Sequence, residues 1–243
     1  MPPAGLTLSS TLHLGPRLSP SGSAARRWII PLLLVAAALA TALALPSQPD
    51  HISDVALTGP RGPACERIIM ANDTSGSMSE YTIAREAALT QFLQWAPANL
   101  RADDEVGVID FSGHAEWSRT PTRIGEPAVL IHTTPADSTA LTPIIELLAA
   151  LTGSTCDTTL VLLSDAQYPD IPRPDDARAL LTRADLHDIV LLVPDPDINV
   201  PTEWTQAFPT APPIRFDGTN PDATALAIAE VTATITGQQL TRN

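Results

Sequence analysis

Residues 67–77 read Arg67-Ile-Ile-Met-Ala-Asn-Asp73-Thr-Ser75-Gly-Ser77, a short apolar run that passes directly into a loop of small polar side chains. The apolar run has the composition of a strand that is buried on both faces of a sheet. Beyond the loop, apolar residues from Ile83 to Trp95 recur at helical spacing, and Pro97 is expected to end that helix. A buried strand, a polar loop and a helix in succession are typical of an α/β fold.

The same alternation of strands and helices continues along the chain. Further strands are predicted over 105–111, 117–124, 159–163, 189–193 and 214–216, and further helices over 141–151, 175–185 and 222–235. The strand 117–124 is expected to pair antiparallel with 105–111 across the turn at Ser112-Gly113. The pattern therefore predicts an α/β sandwich with a mostly parallel central sheet.

Oxygen-bearing side chains follow two of the predicted strands. Asp73, Ser75 and Ser77 come directly after the first strand, Asp165 follows the strand 159–163, and Thr139 lies just before a helix. Open α/β sheets bind ligands beyond the carboxyl ends of their strands, where the strand order reverses. A set of few carboxylates and several neutral oxygens suits a hard cation such as Mg²⁺.

The loop also resembles a known family. Asp73-Thr-Ser-Gly-Ser-Met78 matches the DxSGSM sequence of von Willebrand factor type A (vWA) domains, which carries their metal-ion-dependent adhesion site (MIDAS). Three downstream blocks are similar in order and spacing, and the resemblance covers roughly residues 65–237: Asp104 to Ser112, Ser138 to Ile145, and Leu162 to Asp165. It implies the Rossmann-like vWA fold, with a mostly parallel central sheet and helices on both faces.

The resemblance also implies a ligand set and a partner. The metal ligands would be Asp73, Ser75, Ser77, Thr139 and Asp165, around Mg²⁺, with Mn²⁺ or Ca²⁺ also open. In the family, an open coordination position accepts an Asp or Glu carboxylate from a partner protein. We therefore expect a binding module for adhesion or complex assembly, and not an enzyme.

The sequence departs from the family at three points. Ala166 stands where a glycine often follows the last aspartate, Thr139 lacks the usual preceding glycine pair, and Val193-Pro-Asp195 replaces a glycine-rich turn. The position of the threonine-type ligand is therefore open, and Ser138 or Thr142 are the substitutes for Thr139.

Three other interpretations of the same residues remain. One is a metal-assisted hydrolase that uses the cation to activate water, although the motif offers no spare His or Glu as a general base. Another is a serine hydrolase with Ser75 or Ser77 as nucleophile and His114 or His132 as base, but the G-x-S-x-G sequence is absent. The third is a structural module in which the loop is only a polar turn and helix N-cap. Nucleotide-binding glycine motifs are also absent.

The two cysteines are expected to form a disulfide. Cys65 lies eight residues before Asp73, and Cys156 lies nine residues before Asp165. If the two strands are neighbours and parallel, as they are in vWA domains, both cysteines fall at the edge of the sheet opposite the aspartates. Neighbouring strands lie about 4.8 Å apart, which is within the Cα separation that a disulfide tolerates.

The N-terminal part of the chain has a different composition. Residues 1–49 contain three arginines and no acid, whereas the rest of the chain has 27 acidic residues against 11 arginines, a net charge of −16. Residues 28–45 carry no charge and would extend about 27 Å as a helix, enough to cross a membrane. We expect a disordered cytoplasmic tail over 1–25, a transmembrane signal-anchor helix over 28–45, a linker over 46–64 and the vWA-like domain over 65–237.

The same features predict the location and exclude some partners. Arg26 and Arg27 directly before the apolar segment keep the N-terminus in the cytoplasm, so the domain lies outside the membrane. Cleavage after Ala44 would instead give a secreted protein. A formal net charge of −13 without any lysine argues against a nucleic-acid partner.

Overall fold

The computed structural model describes residues 49–127, 130–131, 138–151 and 153–243, and residues 49–243 form one compact unit. The strands are β1 (Val55–Thr58), β2 (Glu66–Asp73), β3 (Glu105–Phe111), β4 (Ala115–Arg123), β5 (Asp157–Leu163), β6 (Asp188–Val193), β7 (Ile214–Arg215) and β8 (Gln239–Arg242). The α-helices are α1 (Thr82–Asn99), α2 (Thr142–Ala149), α3 (Pro174–Arg183), α4 (Thr202–Ala207) and α5 (Pro221–Thr236). Two short 3₁₀ helices span Ile52–Asp54 and Gly76–Tyr81.

The central sheet has the strand order β4-β3-β2-β5-β6-β7. Its neighbouring strands are parallel except for β3 and β4, which are antiparallel as predicted. From β2 the chain first adds β3 and β4 on one side and then returns to add β5 on the other side. The strand order therefore reverses between β2 and β5, and this is where an open α/β sheet binds its ligands.

The strands are apolar because both faces of the sheet are covered. On one face, Ile68 and Met70 of β2 pack in a core that includes Leu89 and Phe92 of α1 and Ile228 of α5. On the opposite face, Ile69 and Ala71 pack in a second core, to which the other three helices contribute Ile144, Ile145, Ala177 and Trp204. The predicted α/β sandwich, with a mostly parallel sheet and helices on both faces, is confirmed.

Helix α1 differs from its prediction at both ends. Pro97 does not end the helix, which continues to Asn99. A proline in the last turn removes one N–H donor, and the turn is still closed because Leu100 N donates to Ala96 O at 2.8 Å and Asn99 Nδ2 donates to Trp95 O at 3.0 Å. Ile83, predicted on the apolar face, is 84% exposed in the first turn.

The second half of the predicted 46–64 linker folds with the domain, which is a correction to the boundaries 65–237. Residues 55–58 form β1, and this strand pairs antiparallel with β8 near the other end of the chain. Ile52 and Val55 are buried, and Trp95 Nε1 donates a hydrogen bond to Val55 O at 2.8 Å. Both strands have only four residues and a mixed composition, so their pairing depends on contacts distant in sequence and leaves little periodic signal.

The structure contains the expected disulfide between Cys65 and Cys156, with Cα atoms 4.6 Å apart. Cys65 directly precedes β2 and Cys156 directly precedes β5, so the bond joins the amino ends of these neighbouring strands. Asp73 and Asp165 lie at the opposite, carboxyl edge of the same two strands.

The predicted tail over 1–25 and the predicted transmembrane segment over 28–45 lie outside the described residues. Within the described part of the chain, no helix combines the length and the apolar character needed to cross a membrane.

Candidate metal centre

The last residue of β2 and the loop that follows it bring three predicted ligands together. Asp73 is fully buried, and its Oδ1 accepts a hydrogen bond from Ser75 N at 2.9 Å. This local bond turns the loop so that Ser75 Oγ and Ser77 Oγ lie 3.2 Å apart. Ser75 is the N-cap residue of the short 3₁₀ helix Gly76–Tyr81, but its side chain makes no capping hydrogen bond. The two hydroxyls therefore face each other, and that of Ser75 does not cap the helix.

The loop after β5 contributes the second carboxylate of the site. Ser164 Oγ donates a hydrogen bond to Asp73 Oδ2 at 2.5 Å and accepts one from Ala166 N at 3.0 Å. The next residue, Asp165, is also buried, and its Oδ1 accepts a hydrogen bond from Gln167 N at 3.0 Å. Ser164 thus ties the ends of β2 and β5 together and places the two aspartates at one edge of the sheet.

The position of Thr139 follows from different contacts. Residues 132–137 lie outside the described part of the chain, and Thr139 is half-buried in the short segment 138–140. Ala140 N donates to Ser112 O at 2.9 Å, which places this segment beside the end of β3. The hydroxyl of Ser138 lies so close to Gly113 that a side chain at that position would collide with it. Ser138 therefore faces the β3–β4 turn.

Asp170 fixes the start of α2 relative to the Asp165 loop. Its two carboxylate oxygens accept hydrogen bonds from Leu141 N at 2.9 Å and from Thr142 N at 2.7 Å. The backbone N–H groups at a helix start have no partner within the helix, so a carboxylate that binds two of them holds the helix firmly. With its backbone N–H bound to Asp170, Thr142 lies in the first turn of α2.

The backbone conformation of Ala166 shows why vWA domains often have a glycine directly after the last aspartate of the motif. Its φ of 58° lies in the left-handed region, which residues with a Cβ atom rarely adopt. This conformation turns the chain directly after Asp165. A glycine at this position would adopt it without strain, whereas Ala166 adopts it with a buried methyl group in the core.

Burial and nearby negative charge raise the pKa values of Asp73 and Tyr168. Burial raises the pKa of Asp73, the hydrogen bonds from Ser164 and Ser75 oppose this shift, and the nearby charge of Asp165 adds to it. Burial, followed by the charge of Asp73, also raises the pKa of the Tyr168 hydroxyl. The charge of Asp165 therefore acts on Asp73, and a divalent cation beside Asp73 would stabilise its ionised form.

The donor types match a hard cation. The described residues contain no cluster of three or more His, Cys, Asp or Glu side chains suited to a metal. The candidate set instead combines two carboxylates with three hydroxyls, a composition that fits Mg²⁺ or Mn²⁺ better than zinc.

Of the two histidines in the serine-hydrolase interpretation, the structure describes His114. His114 is exposed, and its Nε2 lies 3.9 Å from Glu116 Oε1, a neighbour on the edge strand β4. His132 lies outside the described residues. The sequence reasoning gave no role to Ser164, Asp170 or Arg85. Ser164 could have been suspected from its place between the end of β5 and Asp165, whereas Asp170 and Arg85 carried no local signal.

Comparison with solved structures finds vWA proteins with a similar fold. A von Willebrand factor type A protein from Catenulispora acidiphila matches with a TM-score of 0.54 and 15% identity, over 80% of this chain and 52% of that one. The ArnB paralog VWA2 from Sulfolobus acidocaldarius matches with a TM-score of 0.50 and 15% identity, over 73% and 45%. Proximal thread matrix protein 1 from the mussel byssus, solved with a zinc-occupied MIDAS motif, matches with a TM-score of 0.51 and 12% identity, over 73% and 50%.

The chain has the fold of a von Willebrand factor type A domain. It spans about half the length of the solved structures that it matches. No protein-family model matches the sequence, and no curated protein is similar to it.

Proposed function

We propose that this vWA module binds a divalent cation and, through that cation, an acidic side chain of a partner protein. The ligands in this proposal are Asp73, Ser75, Ser77, Thr139 and Asp165, and Mg²⁺ is the preferred ion. The supporting observation is the pair of hydroxyls of Ser75 and Ser77, 3.2 Å apart beside the buried Asp73, at the point where the strand order reverses.

The hydrogen bonds of Asp73 define its role in this proposal. Both of its carboxylate oxygens already accept hydrogen bonds, from Ser75 N and from Ser164 Oγ. Asp73 would therefore act through water or through the neighbouring hydroxyls, and the serines would contact the ion. The zinc-occupied MIDAS motif of the mussel protein supports a divalent ion in a fold of this kind.

The partner chemistry follows from charge. Asp73 and Asp165 together roughly neutralise one Mg²⁺, and the hydroxyl ligands add no charge. A small, hard cation with open positions then accepts a further oxygen ligand, for which a carboxylate is the strongest candidate among protein groups. We propose a binding role and not catalysis, because the proposed ligand set assigns no residue as a general base.

We also propose that the domain works outside the cytoplasm, anchored by residues 28–45. The disulfide between Cys65 and Cys156 supports this location, because such bonds persist in oxidising compartments. Protease added to intact cells should then degrade the domain and spare the 1–25 tail. A domain that resists protease until the cells are lysed would contradict the proposed orientation.

Calorimetric titration of the purified full-length chain with Mg²⁺ tests the metal proposal. We expect saturable binding by the wild type and loss of binding in Ser75→Ala and in Asp73→Ala. Ser79→Ala is the matched control, because this exposed serine belongs to the same short helix and is not a proposed ligand. Its affinity should equal that of the wild type.

Two outcomes of this titration would contradict the proposal. Absence of Mg²⁺ and Mn²⁺ binding in the folded wild type would leave a structural vWA module. Equal binding by the wild type and Ser75→Ala would place the cation elsewhere.

A further inference from the structure

A buried arginine without a hydrogen-bond partner lines a cavity beside the candidate metal centre, whose walls also include Met78 and Leu163, the sequence neighbours of Ser77 and Ser164. Arg85, in the first turns of α1, is only 2% exposed. Its Nε, Nη1 and Nη2 atoms make no hydrogen bond to any described residue. Buried arginines are normally paired, since an uncompensated guanidinium in the interior is costly.

Two other arginines show the usual arrangement. The largely buried Arg61 side chain forms a bidentate pair with Asp104, at 2.5 and 2.6 Å, and Arg67 Nε donates to Glu105 Oε2 at 2.7 Å. These pairs lie at the amino end of the sheet, away from the metal loop. Arg85, whose helix begins at the carboxyl edge, makes no such pair with a described residue.

Bulk water does not replace the missing partners. The guanidinium borders a cavity of about 10 Å³, whose walls include Met78, Tyr81 and Phe216. This is the space of about one water molecule. The positive charge of Arg85 must therefore be balanced mainly by charged groups of the protein itself.

Asp73 and Asp110 are the two buried carboxylates whose charge acts on Arg85. Asn72 and Asp110 are register partners on β2 and β3, at positions that face α1, and Asn72 Nδ2 donates to Asp110 Oδ1 at 2.7 Å. Burial lowers the pKa of Arg85, whereas the charges of Asp73, then Asp110 and then Glu86 raise it. The guanidinium stays protonated at neutral pH.

We propose that Arg85 is an internal counter-charge of the candidate metal centre, which compensates the buried carboxylates when no cation is bound and lowers the affinity of the site for a divalent cation. This inference rests on the metal binding proposed above. Arg85 acts here as a positioning charge and not as a ligand.

The sign of the effect follows from Coulomb's law. A bound dication and a fixed guanidinium next to the same carboxylate repel each other, and the repulsion is weakly screened in a buried site. Removing the guanidinium charge should therefore increase the Mg²⁺ affinity by about tenfold, a conservative value for one unit charge near a dication. It should also enlarge the rise in melting temperature that Mg²⁺ produces, because tighter binding to the native state stabilises it more.

The test compares neutral and charged replacements in the full-length chain. Arg85→Met and Arg85→Gln both remove the charge. If Arg85→Met does not fold, Arg85→Gln provides the neutral variant for the comparison. Arg85→Lys keeps the charge. Arg178→Met, at an exposed position of α3, controls for the change in net charge. Calorimetric Mg²⁺ titration gives the affinity, and thermal unfolding in EDTA and in Mg²⁺ gives the shift in melting temperature.

Tighter Mg²⁺ binding and a larger melting shift in Arg85→Met or Arg85→Gln, with Arg85→Lys and Arg178→Met close to the wild type, would support the inference. Unchanged affinity in both neutral variants, with normal binding by the wild type, would overturn the inference and leave the proposed function intact. Absence of Mg²⁺ binding in the wild type and in all variants would overturn both.

Discussion

At the residue scale, Asp73 determines the geometry of the carboxyl edge of the sheet. Its Oδ1 shapes its own loop through Ser75 N, and its Oδ2 reaches across to Ser164 on the neighbouring strand. Because Asp73 and Ser164 are both fully buried, water cannot replace either bond. The carboxylate is therefore a structural centre of the site, whether or not a cation is present.

The contact between Ser164 and Asp73 can be tested by removing the hydroxyl. Ser164→Ala should lower the free energy of unfolding by about 2 kcal/mol, because it leaves a buried carboxylate oxygen without its donor. Urea unfolding in EDTA measures this change without a contribution from metal. Ser79→Ala, at an exposed site, should change the stability by less than about 0.5 kcal/mol. Equal stability of the two variants would mean that the Ser164 bond contributes little.

His51 directly precedes the 3₁₀ helix Ile52–Asp54 and lies beside Asp222 of α5. His51 Nδ1 lies 3.1 Å from Asp222 Oδ1, and this hydrogen bond and charge raise the pKa of His51 above 6.5. The pair should stabilise the fold fully below pH 6.5, and this contribution should disappear as the pH rises through the raised pKa. An NMR titration should show a lower pKa of His51 in Asp222→Asn than in the wild type, because Asp222 is the main cause of the raised value. Asp176→Asn changes a residue on the opposite face of the sheet and should leave the pKa of His51 as high as in the wild type.

At the element scale, α2 is held at its amino end by a carboxylate from another loop. The sequence around Leu141 predicts the helix from its apolar spacing, but the bonds from Leu141 N and Thr142 N to Asp170 span 29 and 28 residues, respectively. Capping by a residue so distant in sequence cannot be predicted from local pattern. This bond also connects the segment that carries Thr139 to the loop that carries Asp165.

Removing the cap should weaken the domain measurably. Asp170→Ala leaves two backbone N–H groups at the start of α2 without their acceptor, and we expect a loss of about 1–2 kcal/mol in unfolding free energy. Asp176→Ala is the matched control, because this aspartate forms only an exposed pair with Arg173 and should cost less than about 0.5 kcal/mol. If chemical denaturation shows equal losses for the two variants, Asp170 does not hold the helix.

The strands and helices of the central layers could be predicted from the sequence for a physical reason. Buried strands such as Thr159 to Leu163 must be apolar on both faces, so their composition alone identifies them. The metal loop could also be predicted, because Asp73, Ser75 and Ser77 are close in sequence. The burial of Arg85 could not be predicted, since a single arginine in an amphipathic helix has the same local sequence pattern whether it is buried or exposed.

At the scale of the whole molecule, the two ends of the described domain close the fold. The β1–β8 pair and the 3₁₀ helix Ile52–Asp54 join the start of the domain to its end. Asn243 N donates to Asp54 O at 2.8 Å, which adds a further link between the ends. Ile52 and Val55, which fall in the predicted linker 46–64, are thus part of the core on the α1–α5 face.

Substitutions of Ile52 and Ile83 distinguish the observed core from the one that the sequence pattern suggests. Ile52→Ala removes a side chain that is 4% exposed, and should cost about 3 kcal/mol of unfolding free energy. Ile83→Ala removes the same atoms from a side chain that is 84% exposed, and should change stability by less than about 0.5 kcal/mol. If denaturant unfolding gives the reverse order, Ile52 belongs to a linker and Ile83 to the core, as the sequence pattern alone suggests.

The loop after β2 is proposed to hold a divalent cation. Anomalous diffraction from crystals of the full-length chain grown with Mn²⁺ tests this proposal, because it locates the ion without reference to activity. We predict a peak within about 2.5 Å of both Ser75 Oγ and Ser77 Oγ, at a distance typical of oxygen ligands. A well-ordered loop with no peak there, at a Mn²⁺ concentration that saturates any binding measured in solution, would contradict the proposal.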